Sequence, residues 1–208
     1  MTDTPKSDTA PLSSANLDAT HPEALAFLLS RRSRPAKTLI APAPGRDELL
    51  PILTAAARTP DHGKLEPWRF IVLEKPALTR LASLVEELGG ARGIDENTMI
   101  KSIAQYANAD LAVAVIASPK ISEKVPAIEQ LYSAGAVCLA LLNAALASGW
   151  GANWLSGWAS HDTEFCARGL GLEEHEKIAG LIHIGTEKNT PPERPRPDLG
   201  AITEWAAS

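Results

Sequence analysis

The chain has 208 residues, of which 45% are hydrophobic and 22% are charged, and its formal net charge is −5. The length suits one domain with a sizeable core, and the composition is that of an ordinary soluble protein. The acidic balance argues against a general nucleic-acid or membrane-surface binder, so any anion site must be local. The only cysteines, Cys138 and Cys166, form no Cys-x-x-C motif, and a reducing cytoplasm is the expected compartment.

Residues 1–20 are rich in Thr, Ser, Pro and Asp and lack the apolar core of a signal peptide. We expect them to form a disordered or loosely ordered N-terminal tail, with residues 21–208 as a single domain. In the next segment, 22–30, three leucines share one face behind Pro22, which predicts a helix. This helix is expected to end at "RRSRP", residues 31–35.

The rest of the chain interleaves helices and strands, which predicts a sheet of a few strands flanked by helices, in an α/β or α+β chain. Pro51 is expected in the first turn of its helix, while Gly89 and Gly90 are expected to end the next one. The run at 110–118 does not alternate, so it predicts a strand buried on both faces. The predicted helices are 45–58, 77–88, 95–108 and 129–149, and the predicted strands are 69–74, 110–118 and 177–187.

The predicted helix at 129–149 is apolar nearly all round in its second half. A helix of this kind is surrounded by protein, either in a large core or in a subunit interface. Its apolar stretch, 134–147, is short for a bilayer crossing and contains Asn143. Gly149 is the expected end of the helix.

Three segments carry candidate binding residues, and each also has a purely structural interpretation. The guanidinium groups of "RRSRP" match phosphate oxygens, but positive charge is also favourable at a helix C-terminus. The loop 59–68 is stiffened by two prolines and leads into a strand, which suits ligand contacts, although it could be an ordinary surface turn. The segment 149–158 has three tryptophans and three glycines, either as walls for a ligand or as a tight loop packed on the core.

Several catalytic motifs are missing from the sequence. It has no G-x-G-x-x-G after a strand, no P-loop, no G-x-S-x-G and no H-E-x-x-H. The five histidines are scattered, and His183, inside a predicted strand, is expected to be a hydrogen-bonded core residue. Without a nucleophile or a metal site, the chemistry would have to come from a bound cofactor.

Four segments, taken in order, resemble the nitroreductase-like FMN-dependent oxidoreductases. They are "RRSRP", "AAARTPDHGKLEPWRFIVLE", the long helix leading to "GWGANWLSG", and "IHIGTE" followed by "RPRPDL". The run "PDHGKLEPWRF" is the most specific and is similar to the small YdjA-like branch of the family. The resemblance covers about residues 22–206 and implies an α+β fold, with a central, mainly antiparallel sheet flanked by helices.

The resemblance also implies an obligate homodimer that holds one FMN per subunit at its interface, with a long buried interface helix. Arg31, Arg32 and Ser33 match the motif that contacts the FMN phosphate, ribityl chain and ring edge. Arg58 and His62 match positions that contact FMN across the dimer interface. Further matched positions are Leu155, Ser156 and Gly157 beside the flavin ring, Arg196 at the phosphate, and Arg194 as its weaker alternative.

The implied activity is hydride transfer from NADH or NADPH to flavin N5 and on to a nitroaromatic, quinone or similar small acceptor, with ping-pong kinetics. No side chain need act as a catalytic acid, and no metal, nucleic acid or membrane is expected. The sequence departs from the family pattern at Lys64, Glu66 and Leu155, and Lys64 is a candidate for tuning the flavin. Ene reduction, dehalogenation, flavin fragmentation and non-catalytic flavin binding remain open alternatives.

Overall fold

A computed structural model describes residues 21–207, so the predicted tail at 1–20 lies outside the described residues. The chain divides into two compact units, one ending at Arg31 and the other beginning at Arg32. The described part of the first unit contains helix α1, Pro22–Ser30, as predicted. None of its residues is buried, and Leu25, Leu28 and Leu29 are all more than half exposed.

The second unit is built from helices and strands that follow the predicted order closely. Its helices are α2 (Arg46–Ala56), α3 (Lys75–Ala91), α4 (Glu96–Ala107), α5 (Ala127–Ala147), α6 (Thr163–Leu170) and α7 (Leu199–Ile202). Its strands are β1 (Leu39–Ile40), β2 (Trp68–Glu74), β3 (Leu111–Ala117), β4 (Gly151–Leu155) and β5 (Lys177–Glu187).

All the strand pairs of the sheet are antiparallel, with the order β1-β5-β3-β2 and with β4 also paired to β5. The predicted α+β fold, an antiparallel sheet flanked by helices, is therefore confirmed. β5 is the hub, because it pairs with β1, β3 and β4. All seven residues of β3 are buried, as the absence of alternation in its sequence predicted.

Helices cover both faces of this sheet and form two hydrophobic cores. Alternate β3 side chains face opposite ways, so Ala112, Ala114 and Ile116 join the core under α3, α4 and α6. Val113 and Val115 join the core under α2 and α5. The two cores hold the ends of the strands, and the loops that follow them, in fixed positions.

Helix α5 lies against the sheet with one face and leaves the other face open. Eight of its residues are buried, while Ile128, Leu131, Tyr132 and Leu139 are each 45–68% exposed. At 21 residues α5 is long and apolar enough to cross a membrane by length and composition alone, although the predicted apolar stretch, 134–147, is only part of it. Its buried face packs on the sheet as the face of a core helix does.

Three local predictions were wrong. Pro51 lies inside α2 rather than in its first turn, because the helix already begins at Arg46. The Glu48 carboxylate fixes this start by accepting a hydrogen bond from the Gly45 N–H at 2.9 Å. Gly89 and Gly90 both lie inside α3, and a Cβ at Gly89 would meet the flexible end of the Met99 side chain of α4, which would have to move. The segment after α5 is the strand β4 rather than a loop, because β5 offers it a free edge.

Three further elements, β1, α6 and α7, were not predicted. β1 has only two residues, which is too few for a periodic signal. α6 has eight residues and begins with Asp162, whose carboxylate accepts a hydrogen bond from the Phe165 N–H at 2.8 Å. An Asp before a Thr-Glu pair is a recognisable N-cap pattern, so α6 could have been found from sequence.

His183 lies in the middle of β5 and is 2% exposed. The prediction that it is hydrogen-bonded was wrong for one nitrogen, since Nε2 has no hydrogen-bond partner among the described residues. Burial lowers the pKa of His183 from 6.5 to about 4, because the charged imidazolium would lose its hydration. The native state therefore keeps this side chain neutral.

This burial predicts a specific loss of stability in acid. Between about pH 6.5 and pH 4 the unfolded chain binds a proton at His183 that the native state does not bind, so the free energy of unfolding falls as the pH falls. The full loss should be about 3 kcal/mol. Urea unfolding at pH 7 and pH 4.5 should show a smaller loss for His183→Gln than for the wild type.

The exposed His175 provides the matched control, and His175→Gln should lose as much stability in acid as the wild type. Carboxylate protonation affects all three proteins alike, so it cancels in the comparison. Equal losses in the wild type and His183→Gln would show that His183 does not set the acid sensitivity.

Candidate functional site

The arginines of "RRSRP" have separate structural roles. Arg31 follows α1, and its backbone N–H donates to the Phe27 carbonyl at 2.7 Å, which ends the helix. Arg32 begins the second unit, and its Nη2 donates to the Pro192 carbonyl at 3.2 Å. Arg32 Nε is buried and has no hydrogen-bond partner among residues 21–207. A buried guanidinium donor without a partner is a vacant hydrogen-bonding position.

Arg34 fixes this segment to the sheet. The backbone N–H of Arg34 donates to the Ala152 carbonyl at 2.8 Å, and the backbone carbonyl of Arg34 accepts from Asn153 Nδ2 at 2.7 Å. Its Nε forms an ion pair with Glu187 Oε2 at 2.8 Å, outside hydrogen-bonding geometry, and both side chains are about three-quarters buried. Because Arg34 is already paired, Arg32 is the arginine of this segment whose charge remains available in the second unit.

The tail after β5 brings further arginines to Arg32. Arg196 Nη2 lies 2.8 Å from Glu193 Oε1, and the Arg194 N–H donates to the same oxygen at 2.9 Å. The pKa of Glu193 is held below its usual value, first by the Arg194 N–H and then by the charges of Arg196 and Arg32. The predicted phosphate ligands Arg32, Arg194 and Arg196 are thus linked through Pro192 and Glu193, with Arg194 linked only by its backbone N–H. We call these three residues and Glu193 the arginine cluster.

The loop 59–66 is rigid and strained. The Asp61 carboxylate accepts hydrogen bonds from the N–H groups of Leu65 at 2.5 Å and Glu66 at 3.0 Å. Lys64 and Glu66 have φ values of 54° and 47°, which non-glycine residues seldom adopt. Such strain is concentrated at functional sites, so it supports the interpretation of this loop as a ligand platform.

Helix α5 holds the loop from beneath. His62 Nδ1 lies 2.7 Å from Glu129 Oε2, and Ser133 Oγ donates to the Pro60 carbonyl at 3.0 Å. Trp68 Nε1 donates to the same Ser133 hydroxyl at 3.2 Å. The side chains of Arg58, His62 and Lys64 are all exposed, so the loop presents three polar or charged groups from a fixed backbone.

The end of β4 carries the residues that were predicted to lie beside the flavin ring. Leu155 and Gly157 are half-buried, and the exposed Ser156 has its Oγ 3.1 Å from His161 Nε2. These residues follow directly from Ala152 and Asn153, which hold Arg34. β4 therefore joins the arginine segment at its start to Leu155 at its end, over about 13 Å of strand.

One chain does not bring the loop to the arginine cluster. Arg34 is bonded at Ala152, which pairs with Ile184, whereas the loop enters the sheet at Trp68, at the level of Lys177 on β5. Ile184 and Lys177 are seven residues apart, or about 23 Å along the strand. Arg58, His62 and Lys64 therefore lie at one end of the sheet, and Arg32 lies towards the other.

Sequence reasoning missed the residues that position the others. Glu129 and Ser133 hold the loop, Asn153 and Glu187 hold Arg34, and Glu193 lies among the tail arginines. Each interaction except those of Glu193 joins segments far apart in sequence, so local spacing carries no signal for it. Within residues 21–207, no group of three or more His, Cys, Asp or Glu side chains could hold a metal ion.

Comparison with known proteins shows which family this chain belongs to. A model of the nitroreductase family matches residues 29–186, which is most of the chain. The chain belongs to the nitroreductase family. The match spans the arginine segment, the strained loop and all five strands, so the family assignment covers the elements that carry the candidate residues, except the tail arginines.

Similar proteins support this family membership. The "Putative NAD(P)H nitroreductase YdjA" of Escherichia coli K12 is 36% identical over 164 residues, covering 79% of this chain and 88% of that protein. A nitroreductase-like protein from Bacillus cereus has a TM-score of 0.74 at 20% identity, covering 91% of this chain and 99% of the other. A nitroreductase with bound FMN from Bacteroides fragilis has a TM-score of 0.68 at 21% identity, covering 88% and 99%. The two structures share the nitroreductase fold with this chain.

Proposed function

We propose that this protein is an FMN-dependent NAD(P)H oxidoreductase of the nitroreductase type, acting as a homodimer in the cytoplasm. The observation that carries the proposal is the buried Nε of Arg32, which has no hydrogen-bond partner among the described residues and belongs to the same cluster as Arg196. The protein is acidic overall, yet the charges of Arg32 and Arg196 both act on Glu193 at this place. A dianionic phosphate ester would satisfy the vacant donor and neutralise this local charge.

The remaining candidate residues fit a flavin that extends from this cluster. β4 runs from the residues that hold Arg34 to Leu155, Ser156 and Gly157, which would contact the ring. The B. fragilis protein of the same fold is described with bound FMN, and the E. coli relative is named for NAD(P)H. Bound FMN would accept a hydride from NADH or NADPH and pass the electrons to a nitroaromatic, quinone or similar acceptor.

A second copy of the chain would complete the site. Arg58 and His62 lie about 23 Å along the sheet from the arginine segment, so one chain cannot place both groups on one FMN. The open face of α5 carries Ile128, Leu131, Tyr132 and Leu139, and an apolar face of this kind suits an obligate dimer interface. The exposed leucines of α1 are a further apolar surface that a second copy could cover. We therefore infer one FMN per subunit, held by residues of both.

The visible spectrum of the purified protein tests this function. We expect a yellow protein with one FMN per subunit, and we expect anaerobic NADH or NADPH to bleach the flavin band. The nicotinamide that reduces the flavin faster is the preferred hydride donor. A coloured protein that neither nicotinamide reduces would be a flavin-binding protein without this activity. Colourless protein that takes up no added FMN would contradict the proposal altogether.

Lys64 is proposed to tune the flavin. The left-handed backbone at Gly63 and Lys64 fixes the direction of the loop, and the Lys64 ammonium is exposed at its tip. A positive charge beside the pyrimidine side of the ring favours the reduced, more negative state of the flavin. Lys64→Met should therefore lower the two-electron midpoint potential by about 30 mV, which is equivalent to about 1.4 kcal/mol.

A dye-equilibration titration measures this potential. Lys101→Met removes an exposed lysine from α4 and is the matched control, with no expected change in potential. An unchanged potential in Lys64→Met, with FMN still bound, would exclude Lys64 as the tuning residue. An equal shift in both variants would point to net charge rather than position.

A further inference from the structure

The arginine cluster contains a carboxylate of its own. Glu193 Oε1 lies 2.8 Å from Arg196 Nη2 and accepts the Arg194 N–H at 2.9 Å. The neighbouring Pro192 carbonyl accepts from Arg32 Nη2. The three cations proposed to bind the FMN phosphate therefore all contact, by backbone or side chain, the two residues Pro192 and Glu193.

The other acidic group at this end of β5 is already committed. Glu187 is paired with Arg34 at 2.8 Å and is about three-quarters buried, so it is not free to move to the tail. Glu193 is instead exposed, with 64% of its side chain accessible, and it belongs to a segment without regular secondary structure. It can leave Arg196 without disturbing the sheet or either hydrophobic core.

A carboxylate and a phosphate make the same kind of contact with a guanidinium group. Both accept charge-assisted hydrogen bonds, but the phosphate has three acceptor oxygens and a charge near −2, whereas the carboxylate has two oxygens and a charge of −1. Glu193 occupies the Nη2 side of the Arg196 guanidinium, so a phosphate ester that binds Arg196 through the same nitrogen must displace it.

We propose that Glu193 is an internal competitor for the phosphate site, whose carboxylate occupies the arginine cluster until the FMN phosphate displaces it. This inference rests on the proposed function above, because it assigns the cluster to the FMN phosphate. Glu193 then limits the affinity for FMN. A flavin with a terminal phosphate displaces it, whereas riboflavin, which has no phosphate, gains nothing from the cluster.

Removal of this competitor should strengthen FMN binding. Exposed ion pairs are weak, so Glu193→Gln should lower the Kd for FMN by about two- to five-fold. The affinity for riboflavin should not change, because riboflavin does not compete for the arginines. Arg196→Gln should weaken FMN binding and leave riboflavin binding unchanged. Glu193 lies on the surface of an irregular segment, so these variants are expected to fold normally.

Fluorescence titration of the full-length protein, stripped of flavin and held at constant ionic strength, measures these constants. Glu174→Gln is the matched control, because it removes one exposed carboxylate at the other end of β5 and changes the net charge equally. It should leave both affinities unchanged. FMN binding that is equal to or weaker than wild type in Glu193→Gln would overturn the proposal, as would an equal gain in Glu174→Gln.

Inorganic phosphate separates this inference from the proposed function. If the wild-type protein binds no FMN, the proposed function fails, and calorimetric titration with phosphate still tests the competition. Tighter phosphate binding by Glu193→Gln than by the wild type and Glu174→Gln would support an internal competitor at a general anion site. Equal phosphate binding by all three proteins would overturn the inference.

Discussion

The unsatisfied guanidinium nitrogen of Arg32 is the constraint on which the account of this protein depends. A buried donor without a partner is unfavourable, since it has lost its hydration and gained no hydrogen bond. The surrounding residues preserve this arrangement rather than relieve it. Arg34 is locked to β4 and Glu187, so the backbone is fixed, and the tail adds Arg194 and Arg196. Under the proposed function, an anion would resolve both the vacant donor and the excess of positive charge.

The sheet explains why one chain does not bring the two groups of candidate residues together. Antiparallel pairing places the arginine segment beside the C-terminal half of β5 and the strained loop beside its N-terminal end. The two faces of helix α5 have different roles. Its buried face supports the sheet, and Glu129 and Ser133 hold the loop, while its open apolar face is proposed to meet a second copy. Under this proposal, dimerisation and cofactor binding depend on the same helix.

Much of this architecture could be predicted from local sequence. The strand β5 and the helix α1 have the predicted bounds, because continuous apolar content and helical spacing are local signals. β4 could not be predicted in the same way. Its residues are rich in glycine and tryptophan, and it is a strand only because β5 has an edge to pair with. Gly89 was likewise wrongly predicted to end its helix, because its close approach to Met99 of α4 is a contact between two helices that local sequence does not show.

The candidate site shows the same division. Arg32, His62 and Lys64 stand in motifs that sequence alone singles out, whereas their supports come from distant segments. Glu129 lies 67 positions after His62, and Pro192 lies 160 positions after Arg32, so no spacing rule connects them. The roles proposed for individual residues therefore come from family resemblance, and the contacts that hold these residues in place come from the fold.

Subunit mixing tests the central claim most directly. The double variant Arg32→Ala/Arg196→Ala removes the phosphate side of both sites in a dimer, and Arg58→Ala/His62→Ala removes the side supplied across the interface. Each variant alone should lose most of its FMN. When the two are coexpressed with different tags, the mixed dimer contains one site with all four residues intact, and it should regain about one FMN per dimer. A mixed dimer with no more FMN than its parents would contradict a shared, arginine-anchored site.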